Sequence, residues 1–122
     1  MPEKSLMDLQ REVVREEMKY FQRLAEYASR IARIAERLLA DPNVRVFLFG
    51  SAAEGRAIPG ASDIDILVVS ERAPEGAREL AELRVRILSE LGDLAAPFEI
   101  HIVSPDRFEW YRRRAGKMIA VR

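Results

Sequence analysis

Three short runs of apolar residues constrain the fold of this chain more than any other feature. They cover residues 44–49, 64–69 and 98–103, and turn-forming or polar residues flank them. Runs of this length that are rich in Val, Ile, Leu and Phe indicate buried β-strands. Apolar side chains recur at helical spacing before the first run, between the second and third, and after the third. The order helix, strand, turn, strand, helix, strand, helix predicts a small layered α/β domain.

The segment before the first strand predicts one long N-terminal helix. Ser5 is suited to its N-cap and Asp8 to its first turn, and neither glycine nor proline interrupts the chain from there to Ala40. Asp41-Pro42-Asn43 ends the pattern. A helix of about 35 residues is roughly 50 Å long, which is more than one small domain can cover. We therefore expect its early turns to bend or to pack on another chain.

Two further helices have recognisable ends. Pro74 is suited to the first turn of a helix that Gly92 stops. Ser104-Pro105-Asp106 caps the last helix, and we expect Trp110 and Tyr111 to anchor that helix to the sheet.

Length and composition favour one ordinary domain. The 122 residues suit a single domain, with the long helix in 1–41 and an α/β core in 42–122. Twenty basic residues balance twenty acidic ones, so no overall field attracts nucleic acid. Cysteine is absent, which excludes disulfides and thiolate chemistry. No apolar run reaches the roughly 20 residues that span a bilayer, and the start lacks the apolar core of a secretion signal. We expect a soluble cytoplasmic protein that does not contact a membrane.

The ends of the first two strands carry the most distinctive motif. Gly50-Ser51 follows the first strand, and Asp63-Ile64-Asp65 opens the second after eleven further residues. Side chains alternate along a strand, so Asp63 and Asp65 share a face and lie roughly 6.5–7 Å apart along it. Carboxylates at this spacing repel each other unless a cation or a proton lies between them. The Gly-Ser step at the start of a helical turn is suited to phosphate oxygens. Together these features predict a metal–nucleotide site.

A third carboxylate comes from the last strand. If the apolar sets of both strands pack on the same helices, Glu99 faces the same way as Asp63 and Asp65. Carboxylates together with a polyphosphate form the environment that Mg²⁺ prefers, or Mn²⁺ in its place. Two such ions about 3.5–4 Å apart would hold the attacking and leaving oxygens of a phosphoryl or nucleotidyl transfer.

Gly50-Ser51, Asp63-Ile64-Asp65 and Glu99 on a later apolar strand together resemble the nucleotidyltransferase superfamily of DNA polymerase β. The small size resembles its minimal nucleotidyltransferase subgroup. The motifs cover roughly residues 44–104. The resemblance implies a small mixed β-sheet with helices packed on it, preceded here by the long N-terminal helix.

The resemblance also implies roles for these residues. Gly50 and Ser51 would bind the β- and γ-phosphates of a nucleoside triphosphate. Asp63, Asp65 and Glu99 would be the catalytic residues and the ligands of Mg²⁺ or Mn²⁺, and Glu99 would help to deprotonate the acceptor hydroxyl. ATP is the expected substrate, and AMP is the expected group transferred.

The sequence departs from the family pattern at three points. The loop before Asp63 is one residue longer than is common, and Glu99 stands where aspartate is frequent. Glu54 stands where many members have an arginine that contacts phosphate, so Arg56 is the expected substitute in nucleotide binding.

The expected partner is another protein. In much of the subgroup the nucleotide goes to a tyrosine of a small helical HEPN-type toxin, which makes the minimal protein an antitoxin. The long helix, with its apolar stripe, is also suited to a homodimer. Two other functions stay open: a catalytically weak antitoxin that acts by binding, and a subunit that senses a nucleotide without transferring it.

Several residues also allow ordinary structural interpretations. Asp63 and Asp65 could be polar residues at the start of a strand, and Glu99 a solvated strand residue. His101 faces the same way as Glu99 and is either a structural histidine or a metal neighbour or proton shuttle. Arg112-Arg113-Arg114 is either a solvated helix face or a contact for RNA or an acceptor phosphate.

Overall fold

The computed structural model describes residues 3–122, which form five helices and a four-stranded sheet. The predicted ranges 1–122 and 1–41 begin two residues earlier, outside the described residues. The elements in chain order are α1 (Leu6–Gln22), α2 (Leu24–Leu39), β1 (Arg45–Phe49), α3 (Gly50–Ala53), β2 (Ile64–Val69), α4 (Ala77–Leu91), β3 (Phe98–Val103), α5 (Pro105–Arg114) and β4 (Ile119–Ala120).

The sheet is small and mixed, as the resemblance implied. Its strand order is β3-β2-β1-β4. Strand β1 is antiparallel to both β2 and β4, whereas β2 and β3 are parallel. The connection between the parallel strands contains α4, as a parallel crossover requires.

Helices cover both faces of this sheet. On one face, Ile66 of β2 packs in a common core with Ile31 of α2 and Ile87 of α4. On the other face, Leu67 of β2 packs with Phe108 of α5. Adjacent residues of a strand point to opposite faces, so β2 is apolar at successive positions where both faces are covered.

The three predicted strands are confirmed, and a fourth strand was not predicted. Strand β4 has two residues and pairs with Phe47 and Leu48 of β1. So short a run has no periodicity that a sequence pattern could reveal. It becomes a strand because β1 offers it a free edge.

The predicted long N-terminal helix is confirmed over residues 6–39, as two helices that meet at Arg23. Arg23 has φ −119° and ψ 35°, outside the α-helical region, so the helix is interrupted near its middle, whereas we expected a bend in its early turns. Ser5 caps α1 as predicted, because its side chain accepts a hydrogen bond from the Asp8 N–H and the Asp8 carboxylate accepts one from the Ser5 N–H. None of the described helices is long and apolar enough to cross a membrane.

The other predicted helix ends are confirmed with one correction. Helix α4 begins at Ala77 after an N-cap at Gly76, so Pro74 lies in the preceding loop and does not open the helix. Gly92 ends α4 in the left-handed conformation, and Ser104 caps α5 with its side chain.

Tyr20 is the buried residue of α1 and attaches this helix to the domain. Its ring centroid lies 4.7 Å from that of Tyr27 and 5.4 Å from that of Phe98. Its hydroxyl donates a hydrogen bond to the Asp93 carboxylate in the loop after α4. Burial and this hydrogen bond raise the pKa of Tyr20 above its ordinary value.

The earlier turns of α1 expose apolar side chains. Leu6 is 82% exposed and Met7 63%. The loop residue Gly60 lies against Val14, since a Cβ at Gly60 would be 2.6 Å from Val14 Cγ2. We define the apolar α1 surface as Leu6, Met7, Leu9, Val13, Val14 and Met18.

Removing the Tyr20 hydroxyl should loosen the attachment of α1. We expect Tyr20→Phe to lower the free energy of unfolding by about 1 kcal/mol, because Asp93 loses its hydrogen-bond donor. Tyr27→Phe leaves that hydrogen bond intact and should change stability by less than about 0.5 kcal/mol. Urea unfolding of the two variants measures the difference, and equal effects would contradict this role for Tyr20.

Candidate functional site

Asp65 and Glu99 lie side by side in the sheet. They are register partners in the parallel pair of β2 and β3. Their neighbours Ile64, Ile66 and Ile100 are buried in the core on the α2 and α4 face. The two carboxylates therefore project together toward the opposite face, near the end of the sheet at which β2 begins.

His101 completes a cluster with these two acids. Its Nε2 atom lies 3.5 Å from Asp65 Oδ1 and 3.6 Å from Glu99 Oε1. Each of the three residues offers a ligand atom, and these atoms all lie within 4.8 Å of one another. The side chains of His101 and Asp65 are about one-fifth exposed, whereas that of Glu99 is 55% exposed. The cluster is thus anchored in the sheet and open to solvent on the Glu99 side.

Aromatic side chains fix the imidazole ring of His101. The Tyr111 hydroxyl of α5 lies 3.3 Å from His101 Nδ1. The rings of Phe49 and Tyr111 meet the imidazole edge-on, with centroids 5.2 and 5.8 Å away. Tyr111 therefore anchors α5 to the sheet as expected, whereas Trp110 is 48% exposed and does not.

Gly50 lies directly against Asp65. Strand β1 ends beside the start of β2, where Phe49 pairs with Asp65. Gly50 has φ +70°, and a Cβ there would lie 2.3 Å from Asp65 Oδ2. Glycine is required at this position both for the positive φ and for the close approach. Ser51 follows in α3, and its carbonyl accepts a hydrogen bond from the Arg56 N–H.

The ionised form of the Asp65 carboxylate is electrostatically unfavourable in the absence of a cation. Burial raises its pKa above the ordinary aspartate value, and the nearby Glu99 carboxylate adds to the rise. The hydrogen bond with His101 acts in the opposite direction. A divalent cation beside Asp65 and Glu99 would offset both unfavourable effects.

The remaining predicted site residues lie around this cluster. Asp63 is exposed and lies immediately before β2. It is not part of the cluster that Asp65, Glu99 and His101 form. The exposed Arg56 forms an ion pair with Glu54, and this contact lowers the pKa of the Glu54 carboxyl. A Cβ at Gly116 would lie 2.6 Å from the Glu54 carboxylate. The loop after α3 is therefore held by contacts within the protein.

One sequence signal predicts the position of His101, and none predicts its contact with Tyr111. The alternation of β3 places His101 on the face of Glu99, which is where the structure has it. The approach of Tyr111 depends on how α5 folds back over the sheet, which no local pattern specifies.

The sequence model of the nucleotidyltransferase domain matches residues 28–121. The chain belongs to this family. The resemblance to the nucleotidyltransferase superfamily of DNA polymerase β is confirmed at this level. The match begins within α2, which packs in the core of the sheet.

Solved structures agree with this assignment of the nucleotidyltransferase domain. A crystal structure provisionally described as a nucleotidyltransferase is 25% identical, with a TM-score of 0.50, and the alignment covers 74% of this chain and 91% of the other. A protein from Sulfolobus solfataricus with the same provisional description is 23% identical, has a TM-score of 0.51 and shows a similar fold over 85% of this chain and 84% of its own. No match was found among functionally curated proteins.

The residues of this nucleotidyltransferase domain fit a divalent metal ion. Asp65 and Glu99 each offer a carboxylate oxygen, and these oxygens are close enough to bind one ion. The cluster is exposed to solvent on the Glu99 side, so a further ligand such as a phosphate can reach the ion there. Mg²⁺ and Mn²⁺ bind in this manner, through one or two carboxylates together with substrate oxygens.

The contact between Gly50 and Asp65 can be tested with a matched pair of glycines. Gly50→Ala and Gly55→Ala both place a side chain at a φ near +70°, but only position 50 has Asp65 within reach. We expect each substitution to cost about 1 kcal/mol or more of stability from backbone strain. Gly50→Ala should in addition displace the Asp65 carboxylate and abolish divalent-metal binding. Calorimetric metal titrations of both variants measure this, and intact binding by Gly50→Ala would contradict the contact.

Asp65 should lower the stability of the metal-free protein. Because its pKa is raised on folding, ionised Asp65 destabilises the fold at neutral pH, and this penalty disappears as the pH falls through the raised value toward 3.8. We expect Asp65→Asn to unfold at a higher temperature than the wild type at pH 7–8. Its free energy of unfolding should be higher by an amount of the order of 1 kcal/mol. The advantage should shrink toward pH 4.

Asp41 provides a control of opposite sign for this measurement. The Ser70 hydroxyl donates to Asp41 and lowers the pKa of that carboxyl, so its contribution to stability is present above pH 3.8 and is lost in acid. Asp41→Asn should therefore lower the melting temperature at neutral pH. Thermal unfolding scans in metal-free buffer compare the two variants, and a destabilised Asp65→Asn would refute the electrostatic account.

Proposed function

We propose that this nucleotidyltransferase transfers a nucleoside monophosphate, AMP from ATP, to a hydroxyl group of a partner protein with the aid of Mg²⁺ or Mn²⁺. The observation that carries the proposal is the pairing of Asp65 with Glu99 beside the Gly50 turn. This arrangement joins a pair of metal-binding carboxylates to the start of a helical turn whose N–H groups are free to bind phosphate.

Each residue has a proposed task. The backbone N–H groups at Gly50 and Ser51, and the Ser51 hydroxyl, bind the β- and γ-phosphates. Asp65, Asp63 and Glu99 hold the divalent ions. Such ions, when bound, neutralise the triphosphate charge and lower the pKa of the acceptor hydroxyl.

The reaction is an in-line displacement at the α-phosphorus. The acceptor oxygen forms a bond to the α-phosphorus while the bond to the bridging oxygen of the β-phosphate breaks, and pyrophosphate leaves. Glu99 accepts the proton of the acceptor hydroxyl. Its half-exposed carboxylate is accessible to an acceptor that arrives from solvent, which supports this role.

Arg56 has a conditional role in nucleotide binding. Its guanidinium group is paired with Glu54 in this structure. We propose that it contacts the triphosphate by exchanging the Glu54 carboxylate for a phosphate oxygen. An exposed ion pair contributes little to stability, so the exchange requires little energy.

The acceptor is proposed to be a helical partner of the HEPN toxin type, which this protein would modify as an antitoxin. The apolar α1 surface supports a protein partner, since it leaves large side chains such as Leu6 and Met7 exposed. A homodimer through the same surface is a second proposed assembly.

The same surface favours a second candidate function, in which the protein neutralises its partner by contact alone. Glu54 also favours this function, because an acid stands where many members of the family have an arginine that contacts phosphate. A subunit that senses ATP without transferring AMP is a variant of this candidate.

Transfer of label from α-³²P-ATP to the co-purified partner tests the proposal. We expect labelling that requires a divalent metal and falls at least about a hundredfold in Asp65→Asn and in Glu99→Gln. Glu71→Gln, which changes an exposed acid away from the cluster, is the control and should label normally.

The contact-only candidate predicts a different outcome in the same samples. No labelled product forms, and the complex survives the double substitution Asp63→Asn and Asp65→Asn. Labelling by Asp65→Asn equal to that of the wild type would show that the proposed site is wrong.

A further inference from the structure

The single histidine of this chain directs one ring nitrogen at both carboxylates of the site. His101 Nε2 lies 3.5 Å from Asp65 Oδ1 and 3.6 Å from Glu99 Oε1. Two ligand atoms that are each about 2.1 Å from one ion lie roughly 3–4 Å apart. The distances from His101 Nε2 to the two carboxylate oxygens therefore match the spacing of ligands around a shared ion, and all three atoms lie within 4.8 Å of one another.

The surroundings of the ring favour a metal-binding orientation. Tyr111 Oη lies 3.3 Å from His101 Nδ1, on the side of the ring away from the carboxylates. When an ion takes the place of the Nε2 proton that bonds to Asp65, Nδ1 keeps the ring proton and donates a hydrogen bond to Tyr111 Oη. The lone pair of Nε2 then points at Asp65 and Glu99. A histidine that binds a metal ion typically uses its other ring nitrogen in this way.

The packing holds this orientation. The rings of Phe49 and Tyr111 pack against the imidazole in edge-to-face contacts, with ring centroids 5.2 and 5.8 Å from its centroid. His101 is about one-fifth exposed, so few other ring positions are open to it. Such packing reduces the entropy that the ring would lose on binding an ion.

We infer that His101 is a direct ligand, through Nε2, of the divalent ion that Asp65 and Glu99 bind, and that this site prefers Mn²⁺ to Mg²⁺. The inference rests on the proposed function, since it concerns the ion used for nucleotidyl transfer. Tyr111 is a positioning residue in this account, because it acts on the ion through His101.

The preference follows from ligand chemistry. Mg²⁺ is a hard cation that favours oxygen ligands and retains several waters, whereas imidazole nitrogen suits the first-row transition ions. Mn²⁺ accepts both carboxylate oxygen and imidazole nitrogen. The preference for Mn²⁺ over Mg²⁺ is therefore greater at a site of two carboxylates and one imidazole than at a site made of carboxylates alone.

Pulsed electron paramagnetic resonance of the Mn²⁺-loaded protein tests the inference without nucleotide or partner. The protein is prepared with any histidine tag removed, so that His101 is its one imidazole. We expect a ¹⁴N coupling to Mn²⁺ in the wild type and its loss in His101→Gln. If the variant does not fold, the wild-type spectrum alone decides, because no other histidine can produce the coupling.

Competition titrations with Mn²⁺ and Mg²⁺ measure the preference. His101→Gln replaces the nitrogen with an amide oxygen, so we expect Mn²⁺ affinity to fall about tenfold or more while Mg²⁺ affinity changes much less. Tyr111→Phe should weaken Mn²⁺ binding about tenfold and keep the ¹⁴N coupling. Asp65→Asn, as a control, should lose both ions.

Two results would overturn the inference: Mn²⁺ bound at the site without ¹⁴N coupling, or equal losses of Mn²⁺ and Mg²⁺ affinity in His101→Gln. These results are distinct from failure of the proposed function. Nucleotide transfer without ¹⁴N coupling removes the ligand role of His101 and keeps the enzyme. Coupling without transfer of a nucleoside monophosphate from any nucleoside triphosphate keeps the ligand role and removes the enzyme.

Discussion

The parallel pairing of β2 with β3 is the constraint on which the site depends. Its register sets Asp65 beside Glu99, whereas a shift of one residue would turn one of the two carboxylates to the face that α2 and α4 cover. The apolar neighbours Ile64, Ile66 and Ile100 fix this register, because any shift would expose them and bury charge. The core of the domain therefore determines the geometry of the site, and α4 makes the parallel pairing possible as the crossover between the strands.

The site itself opposes folding. Asp65 is partly buried beside a second carboxylate, and Gly50 adopts a positive φ against it. We expect the raised pKa of Asp65 to lower the stability of the metal-free protein, whereas glycine adopts the positive φ without strain. The packing of α2, α4 and α5 on the sheet offsets this penalty. An arrangement that is unfavourable without a cation is typical of a functional site.

Much of the fold could be predicted from the sequence, because its signals are local. The strands β1, β2 and β3 show as apolar runs, and Ser5, Gly92 and Ser104 mark helix ends through their own side chains or backbone angles. The fourth strand depends on pairing with the distant β1, so no local pattern identified it. The position of the break at Arg23 and the late start of α4 were not specified by the sequence patterns either. The same distinction applies to the site. Alternation predicted that Glu99 and Asp65 share a face, but the contact of His101 with Tyr111 arises only when α5 packs on the sheet.

The central claim is that Asp65 and Glu99 bind one divalent ion together with the triphosphate of a nucleotide. A crystal structure with Mn²⁺ and a non-hydrolysable ATP analogue tests it most directly, because Mn²⁺ is located by its anomalous scattering. The account predicts an anomalous peak about 2.0–2.2 Å from a carboxylate oxygen of each residue and from an α-phosphate oxygen. A triphosphate bound elsewhere, or an ion that neither carboxylate touches, would contradict it.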